Sequence, residues 1–425
     1  IYGIDDRPPW RQAVPLGFQH VVAMMLGNIT PPLLITGALA LSGAETTLIL
    51  QMVLLMAGLA TIVQAYPLGP VGGRLPVVMG TSIAFVGAAI TIGRTHGLAA
   101  VFGACLVAST VEIALGLSIV RVRRLFPPLV TGIVVMLIGL TLIPVGMDYA
   151  AGGAGAPDYG SRSNLLIAGL VFLVTLLLNR FGRGLMSYAS MLFGVMAGYG
   201  LALALGKVDL TPVAAAAWLA APRPLSLGLE LRLSAIVVMA FVYVVSAMET
   251  LGDISGTLAA VGRGPTNREL RGGLVADGVM SGLAALFSAF PNTSYSQNVG
   301  LVNFTGVASR HVTAISGLLL VGLGVVPKVG ALLSTIPAAA IGGGGLIMFA
   351  MIFASGLSIL HRNVTLDRRT LVILAVAIGL GLGVELRPAV LAQLPDGIRM
   401  FVGSGLITGG ITALLLNLLL PREPD

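Results

Sequence analysis

Long apolar runs without a charged residue, such as Leu165–Leu178 and Leu406–Leu420, most constrain the fold of this chain. With their flanks they approach the roughly 20 residues that a helix needs to cross a bilayer. Backbone polar groups in lipid must pair within helices or closed barrels, and these runs lack the alternation of barrel strands. Only 10% of the residues are charged and 56% are hydrophobic, whereas a soluble domain has about 25% charged residues. The chain is therefore predicted to be an all-α polytopic membrane protein.

The apolar pattern predicts about fourteen membrane segments. Two of them, near 76–93 and 295–308, are short and interrupted by proline and glycine. The predicted segments are 14–38, 46–66, 76–93, 98–119, 126–146, 163–179, 187–205, 232–254, 273–290, 295–308, 312–331, 337–358, 370–384 and 398–420.

The net charge of +7 does not indicate a nucleic-acid partner, because no basic stripe with interleaved aromatic residues occurs. If the N-terminus is cytoplasmic and the segments alternate, sixteen of the 24 basic residues lie inside. That bias is what the positive-inside rule expects, and it places both termini in the cytoplasm. The charged N-terminal residues Asp5, Asp6 and Arg7 do not resemble a signal peptide, and the start at Ile1 leads us to expect a few preceding residues. The single cysteine, Cys105, excludes an intrachain disulfide and a cysteine-based metal site.

A faint internal repeat relates the two halves of the chain. The stretch FPPLVTGIVVML from Phe126 resembles TIPAAAIGGGGLIM from Thr335, about 210 residues later, and Thr81-Ser82 resembles Thr293-Ser294 at a similar spacing. Seven segments in each half would place the halves in opposite orientations, which is the inverted-repeat plan of secondary transporters. The paired interrupted segments then point to a binding site near the bilayer midplane.

Few ionisable side chains lie deep in the predicted segments, and each is a functional candidate because an unpaired charge there is costly. Glu249 and Asp253 are spaced i,i+4 and share one helical face. Their mutual repulsion favours binding of a proton by one of them, a property that suits coupling to a proton gradient. The alternative is a structural pair bonded to neighbouring backbone. The candidates are His20, Glu112, Glu249, Asp253 and Asp277.

The other three candidates leave more than one interpretation open. His20 is either a buried histidine satisfied by a hydroxyl or carboxylate, or a direct contact of the ligand. Asp277 is expected to support the loop of the second interrupted segment rather than to contact a ligand. Glu112 lies in the fourth segment, and the sequence assigns it no role.

The stretch PNTSYSQNVGLVNFTG, residues 291–306, is too polar to face lipid. Gln297 and Asn298 carry primary amides, each of which is both a donor and an acceptor. Such an amide makes a two-point contact with the edge of a purine or pyrimidine, and the half-helix that follows directs its N-terminal N–H groups at the same place. The alternative is a polar kink filled by water.

The order Gln297-Asn298-x-Gly300, followed by Thr305-Gly306, resembles the signature of the nucleobase–ascorbate transporter family, also called nucleobase:cation symporter-2. The resemblance covers essentially the whole chain. Other matching features, in family order, are Gln19-His20, Leu75–Ser82, Glu249 with Asp253, Asp277, and Pro291–Thr293.

The resemblance implies a fold of fourteen spans in a seven-plus-seven inverted repeat, with short antiparallel strands in segments 3 and 10. It implies a core domain formed by 14–119 and 231–331, and a gate domain formed by 120–206 and 335–420. The substrate would lie between them, and the core would move like an elevator. Family members are commonly homodimers, and bacterial ones are proton symporters of the inner membrane.

The resemblance also implies a set of site residues. Asn298 would shape the site. Asp253, Asp277 and His20 would support the site or the binding of the coupled proton. The base would be contacted by Glu249, Gln297, backbone N–H groups near Ile83 and Ser296, and Phe349 from the gate.

Specificity is expected to follow the first motif position. Family members with Gln there resemble xanthine and urate transporters, so Gln297 favours oxidised purines, as does Asp253 where uracil-type members have His. Ile83 stands where the family often has a stacking aromatic residue. Either Phe85 or Tyr295 is then expected to supply the platform, or the pocket is wider. Asn28, in LGNITPP, places a further amide near the expected site and is expected to add a substrate contact.

The sequence therefore predicts a proton-coupled importer of xanthine or urate rather than an enzyme, with the bilayer as its environment and no metal or cofactor. The first alternative is a uracil or broad nucleobase symporter. A more distant alternative is an anion transporter of the same inverted fold, and the least favoured is an intramembrane enzyme that uses Asp253 and Asp277.

Overall fold

The structure, a computed structural model, describes residues 2–119 and 127–421. Within these ranges the chain is mainly helical, and one three-residue strand interrupts the helices of each half. The elements of the first half are α1 (Trp10–Ala38), α2 (Gly43–Ala65), β1 (Met79–Thr81), a 3₁₀ turn (Ile83–Phe85), α3 (Val86–His96), α4 (Leu98–Leu117), α5 (Pro128–Ala150), α6 (Arg162–Phe181), α7 (Leu185–Tyr188), α8 (Ser190–Ala204) and α9 (Thr211–Ala215).

The second half repeats this order. Its elements are α10 (Leu233–Ala259), α11 (Asn267–Leu286), β2 (Asn292–Ser294), α12 (Ser296–Thr305), α13 (Arg310–Gly324), α14 (Pro327–Ser334), α15 (Ala338–Asn363), α16 (Arg368–Leu386), a 3₁₀ turn (Pro388–Leu391), α17 (Asp396–Val402) and α18 (Gly405–Leu419).

Every predicted segment coincides with a helix or with a short group of elements. Eight helices in the described ranges are long and apolar enough to cross a membrane, or nine if α13 and α14 form one bent span. The count of fourteen crossings stays a prediction. The start of segment 126–146 and the domain boundary at residue 120 lie outside the described residues.

Three further segments are interrupted, which the sequence analysis did not anticipate. Segment 312–331 bends by 83° between α13 and α14, because Pro327 lacks an N–H and disfavours helical backbone in the residue before it. Segment 187–205 is divided between α7 and α8, and segment 398–420 is divided between α17 and α18.

The two strands meet as the resemblance implied. β1 pairs antiparallel with β2 in the register Met79 to Ser294 and Thr81 to Asn292. The ladder continues at both ends, where Tyr295 N donates to Val78 O over 3.1 Å and Ser82 N donates to Pro291 O over 2.9 Å. This pairing supplies hydrogen-bond partners to the N–H and C=O groups of the extended backbone inside the protein, where water is not available to bond to them.

Glycines allow the helices of the two halves to pack closely, and each close pair takes one helix from each half. α4 packs on α11 at Gly278, where an added Cβ would lie 2.9 Å from Ser109 O. α13 packs on α2 at Gly58, where an added Cβ would lie 2.5 Å from Gly317 O. Small residues permit such contacts between membrane helices. If α2 corresponds to α11 and α4 to α13, the two contacts are equivalent, as a repeat requires.

The helices divide into two groups by their main contacts. α1–α4 and α10–α14 pack chiefly among themselves, and the second group consists of α5, α6, α8, α15, α16 and α18. A contact between the groups is made by Tyr149 of α5, whose hydroxyl oxygen lies 3.0 Å from Leu33 O and 2.8 Å from Leu34 O of α1.

Candidate functional site

The polar stretch of the sequence forms the end of β2 and the first turn of α12. Ser296 and Gln297 are exposed there, whereas Asn298 is buried. α12 begins without a side-chain cap in the described part of the chain, so its first N–H groups can meet a ligand. The partial positive charge of a helix N-terminus adds to this effect. The helix ends at Gly306, which adopts a left-handed conformation with φ of 66°.

Asp253 of α10 bonds to the residues on both sides of Tyr295 and so connects α10 to the end of β2 and the start of α12. Its carboxylate accepts hydrogen bonds from Ser294 Oγ over 2.7 Å and from Ser296 Oγ over 2.6 Å. Glu249, one turn earlier, is half-buried, and its Oε2 has no partner among the described residues. Of the two carboxyl groups, Asp253 is therefore bonded by hydroxyls and Glu249 retains a free acceptor.

His20 of α1 bonds to the amide of Asn298. Asn298 Nδ2 donates to His20 Nδ1 over 2.9 Å and to the His20 carbonyl over 3.2 Å. The imidazole therefore accepts at Nδ1, which leaves the proton on Nε2. Both side chains are buried, so this contact anchors the first turn of α12 to α1. The partner of His20 is an amide, rather than the hydroxyl or carboxylate expected if His20 has a purely structural role.

Asn28 and Tyr295 hold β1 at one residue, Thr81. Asn28 Oδ1 accepts from Thr81 N over 2.7 Å, and the Tyr295 hydroxyl donates to Thr81 O over 2.7 Å. The Tyr295 ring fills the space that two glycines leave: an added Cβ would lie 2.7 Å from the ring at Gly27 and 2.8 Å from it at Gly80. Asn28 Nδ2 is buried and unpartnered among the described residues.

Comparison with known proteins identifies the family. Residues 11–390 match Xan_ur_permease, described as a permease family. The chain belongs to this permease family. The family resemblance drawn from the sequence is therefore confirmed, and the protein is a multi-pass membrane protein.

Two bacterial relatives span nearly the whole of this permease. Xanthine permease XanP of Escherichia coli strain K12 is 38% identical, and the match covers 100% of this chain and 95% of that protein. Uric acid permease PucK of Bacillus subtilis strain 168 is 37% identical, and the match covers 96% of this chain and 95% of that protein.

Solved structures of membrane transporters share the fold of this permease. The transmembrane domain of the cyanobacterial bicarbonate transporter BicA aligns with a TM-score of 0.63 at 16% identity, covering 91% of this chain and 100% of that one. The murine anion transporter Slc26a9 aligns with a TM-score of 0.56 at 14% identity, covering 91% of this chain and 68% of that one. The predicted inverted-repeat transporter fold is thereby confirmed at the level of the fold.

The structure places the predicted aromatic contacts of the permease in its interior. Phe85 is fully buried and packs edge-on against Tyr243, with ring centroids 4.7 Å apart. Phe349 of α15 is fully buried against Gly146 and Gly345. Phe85 and Tyr295 therefore both have packing partners inside the protein, and neither presents an open face as the stacking platform that the sequence analysis expected.

Ile83 lies at a different kind of position. It is half-buried and lines a narrow cavity where the start of α3 faces α5, together with Thr141 and Glu385. Ile83 therefore borders open space between the two helix groups, whereas Phe85 does not.

Asp277 of α11 lies behind the strand pair. Its Oδ2 accepts a hydrogen bond from Thr250 Oγ1, which also lies 3.3 Å from Thr293 Oγ1 of β2. Thr250 thus connects Asp277 to the second broken segment, and the supporting role of Asp277 there stays a prediction. Sequence reasoning missed Thr250, although it directly follows Glu249, because the partner of a hydroxyl on another helix cannot be read from spacing.

Proposed function

We propose that this permease imports a purine nucleobase, xanthine or urate, by proton symport. The observation that carries the proposal is the exposed Gln297 on the uncapped first turn of α12, tied by Ser296 and Asp253 to the helix that bears Glu249. The names of the relatives XanP and PucK, a xanthine and a uric acid permease, support the same substrate class.

Recognition of the base would use complementary edges. The Gln297 amide donates one hydrogen bond and accepts another, which matches a neighbouring C=O and N–H on an oxidised purine. The N–H groups at the start of α12 suit a second ring carbonyl. Glu249 would accept from a ring N–H at the opposite edge.

Proton coupling would use the same carboxyl. Asp253 is already bonded by two hydroxyls, so Glu249 is the member of the pair with an oxygen left to bind a proton or the base. Glu249 would gain a proton on one side of the membrane and release it on the other. Because substrate and proton would meet at one carboxyl group, their binding would be linked.

Transport would move one helix group against the other. The packing of α1–α4 with α10–α14, and of α5, α6 and α8 with α15, α16 and α18, supports a core that carries the site and a gate beside it. We extend the proposal to an elevator-like motion of the core, a homodimer in the bacterial inner membrane, and cytoplasmic termini.

The coupling role is tested by uptake of labelled xanthine into proteoliposomes under an imposed proton gradient, with and without sodium. Glu249→Gln is expected to abolish accumulation. The matched control is Glu230→Gln, which makes the same change at a loop carboxylate whose partner is the exposed Arg232, an ion pair of about 0–1 kcal/mol. Undiminished accumulation by Glu249→Gln would sink the coupling role.

Substrate class is tested by a thermal-shift panel on the purified protein. Xanthine and urate are expected to raise the melting temperature by mass action, and uracil much less. A larger shift with uracil would favour the nucleobase alternative. Bicarbonate and sulfate belong in the panel because two proteins of the same fold are named as a bicarbonate transporter and an anion transporter. Stabilisation by these anions alone would overturn the purine proposal.

A further inference from the structure

A second pair of carboxyl groups lies buried between α4 and α11. Glu112 of α4 is adjacent to Asp277 of α11, and both side chains are fully buried. The two helices approach closely because Gly278, next to Asp277, leaves no room for a Cβ: an added one would lie 2.7 Å from Ile113 Cγ1. At this contact the two carboxyl groups lie side by side, away from water.

Three of the four carboxyl oxygens of the pair lack a partner. Both oxygens of Glu112 and Oδ1 of Asp277 have none in the described part of the chain, whereas Asp277 Oδ2 accepts from Thr250. In the described part of the chain no positive charge compensates them. The titratable groups of α10 that face the pair are Tyr243, Glu249 and Asp253, none of which is basic.

Electrostatics requires a proton in this pair. Two ionised carboxylates in contact inside a low-dielectric interior repel strongly, and each also loses its hydration. One proton removes one charge and forms an O–H···O⁻ hydrogen bond, which is a strong type of hydrogen bond. If Glu112 carries the proton and donates to Asp277 Oδ1, one oxygen on each side chain gains a partner and the pair keeps a net charge of about −1.

The pair is connected to the candidate site through Thr250. That hydroxyl bonds to Asp277 and lies 3.3 Å from Thr293 Oγ1. Thr250 directly follows Glu249 on α10, and Thr293 pairs with Gly80 in the strand ladder. A change in the charge of the pair therefore acts on both the helix of Glu249 and the strands.

We propose that Glu112 is a positioning residue for transport, which shares one proton with Asp277 and so keeps α4 and α11 in the arrangement that directs Glu249 toward the substrate. The inference rests on the proposed function for its transport consequence. Its structural part, the shared proton, stands independently and can be measured without substrate.

The shared proton is tested by thermal unfolding of the purified protein as a function of pH. Above about pH 5 the unfolded chain has lost a proton that the folded protein keeps, so stability falls as pH rises, by about tenfold in the folding equilibrium per pH unit. Glu112→Gln replaces the proton with an amide N–H that does not titrate. It is expected to remove one proton's worth of this slope, and Glu230→Gln, which makes the same change at an exposed loop carboxylate paired with Arg232, is the matched control. An unchanged slope in Glu112→Gln would overturn the proposal.

The positioning role is tested by xanthine uptake with three forms of the protein. Glu112→Gln is expected to keep the KM within about threefold, a change of about 0.7 kcal/mol, while losing the decline of uptake at alkaline pH that the proposal expects of the wild type. Glu112→Leu, which cannot bond to Asp277, is expected to lower uptake at every pH. If Glu112→Gln takes up xanthine at the wild-type rate and with the wild-type pH profile, the positioning role is overturned. This variant alone decides the question if Glu112→Leu does not fold. If the wild type takes up no nucleobase, the proposed function fails, while the unfolding experiment still decides the shared proton.

Discussion

The two broken segments share a backbone plan but not a chemistry. β1 leads through a 3₁₀ turn into α3, and β2 leads directly into α12. After β1 come Ile83 and the buried Phe85, whereas after β2 come the exposed Ser296 and Gln297. The equivalent positions of the two halves therefore present an apolar edge on one side and hydrogen-bonding groups on the other.

Both strands are also held by side chains from other elements. Asn28 and Tyr295 bond to the backbone of Thr81 in β1, and Ser281 bonds to the backbone of Asn292 in β2. The far end of α12 is held by the N-terminal segment, where Tyr2 N donates to Gly306 O over 3.1 Å and Ala308 N donates to Tyr2 O over 2.9 Å. Under the proposed function, one half supplies shape while the other supplies recognition, a division that is open to an inverted repeat once its halves diverge.

The largest expected effect is on recognition in the second broken segment. Gln297→Ala should weaken xanthine binding by about 1–3 kcal/mol, the worth of a two-point contact with a base edge, without altering thermal stability, because the side chain is exposed. Calorimetric titration measures both. Asn303→Ala is the control, because Asn303 is an exposed amide on the same helix whose Nδ2 donates to Val299 O. Equal losses from Ile83→Ala would erase the proposed contrast between the segments.

The next effect is on shape in the first broken segment. Gly80→Ala should destabilise the protein by about 1–3 kcal/mol through overpacking, because the new Cβ would lie 2.7 Å from Met24 Cε and 2.8 Å from Asn28 Oδ1. Chemical denaturation in detergent measures the loss. Gly87→Ala, in α3 with open space around its Cβ, should cost nothing, and a similar cost there would contradict the packing argument.

A smaller effect should come from the bond between the segments. Tyr295→Phe removes the hydroxyl that donates to Thr81 O and should destabilise the protein by about 0.5–1.5 kcal/mol. Tyr159→Phe, which removes an exposed hydroxyl bonded to Asp148, is the comparison. If both variants melt at the wild-type temperature, the bond does not stabilise β1.

The smallest effect concerns the N-terminal anchor. The hydrogen bond from Arg310 chiefly lowers the pKa of the Asp5 carboxyl, although partial burial opposes it. A lowered pKa contributes stability above the ordinary value of the group, and this stability is lost as pH falls through the folded value. Melting of Asp5→Asn should therefore depend less on acid pH than wild-type melting, by less than about 1 kcal/mol because the pair is partly exposed. A steeper acid dependence in the variant would contradict this sign.

Sequence reasoning predicted the segments and the family because each depends on local pattern or on a motif, whereas the strand pair followed only from the family resemblance. Apolar runs record membrane helices directly, and the paired Thr-Ser steps indicate the internal repeat. The bend before Pro327 and the division at Ala189 escaped it, because short interruptions inside apolar runs leave hydropathy unchanged.

Side-chain partners on different helices could not be predicted. The spacing of Glu249 and Asp253 places them on one face, but it does not show that Ser294 and Ser296 bond to Asp253 and not to Glu249. Glu112 had no role in the sequence analysis, because its contact with Asp277 depends on the rotation and depth of two helices. The partners of such residues can be identified only from a three-dimensional structure.

The strand pair also bears on how the protein is made. Because β1 bonds to a strand roughly 210 residues later, a ribosome working at about 5–20 residues per second needs about 10–40 s to supply the partner. Throughout that interval the backbone of Met79–Thr81 lacks its ladder, and unpaired groups in hydrocarbon cost several kcal/mol each. The first half must therefore remain beside water or the insertion machinery, and the binding site is completed only after most of the chain has entered the membrane.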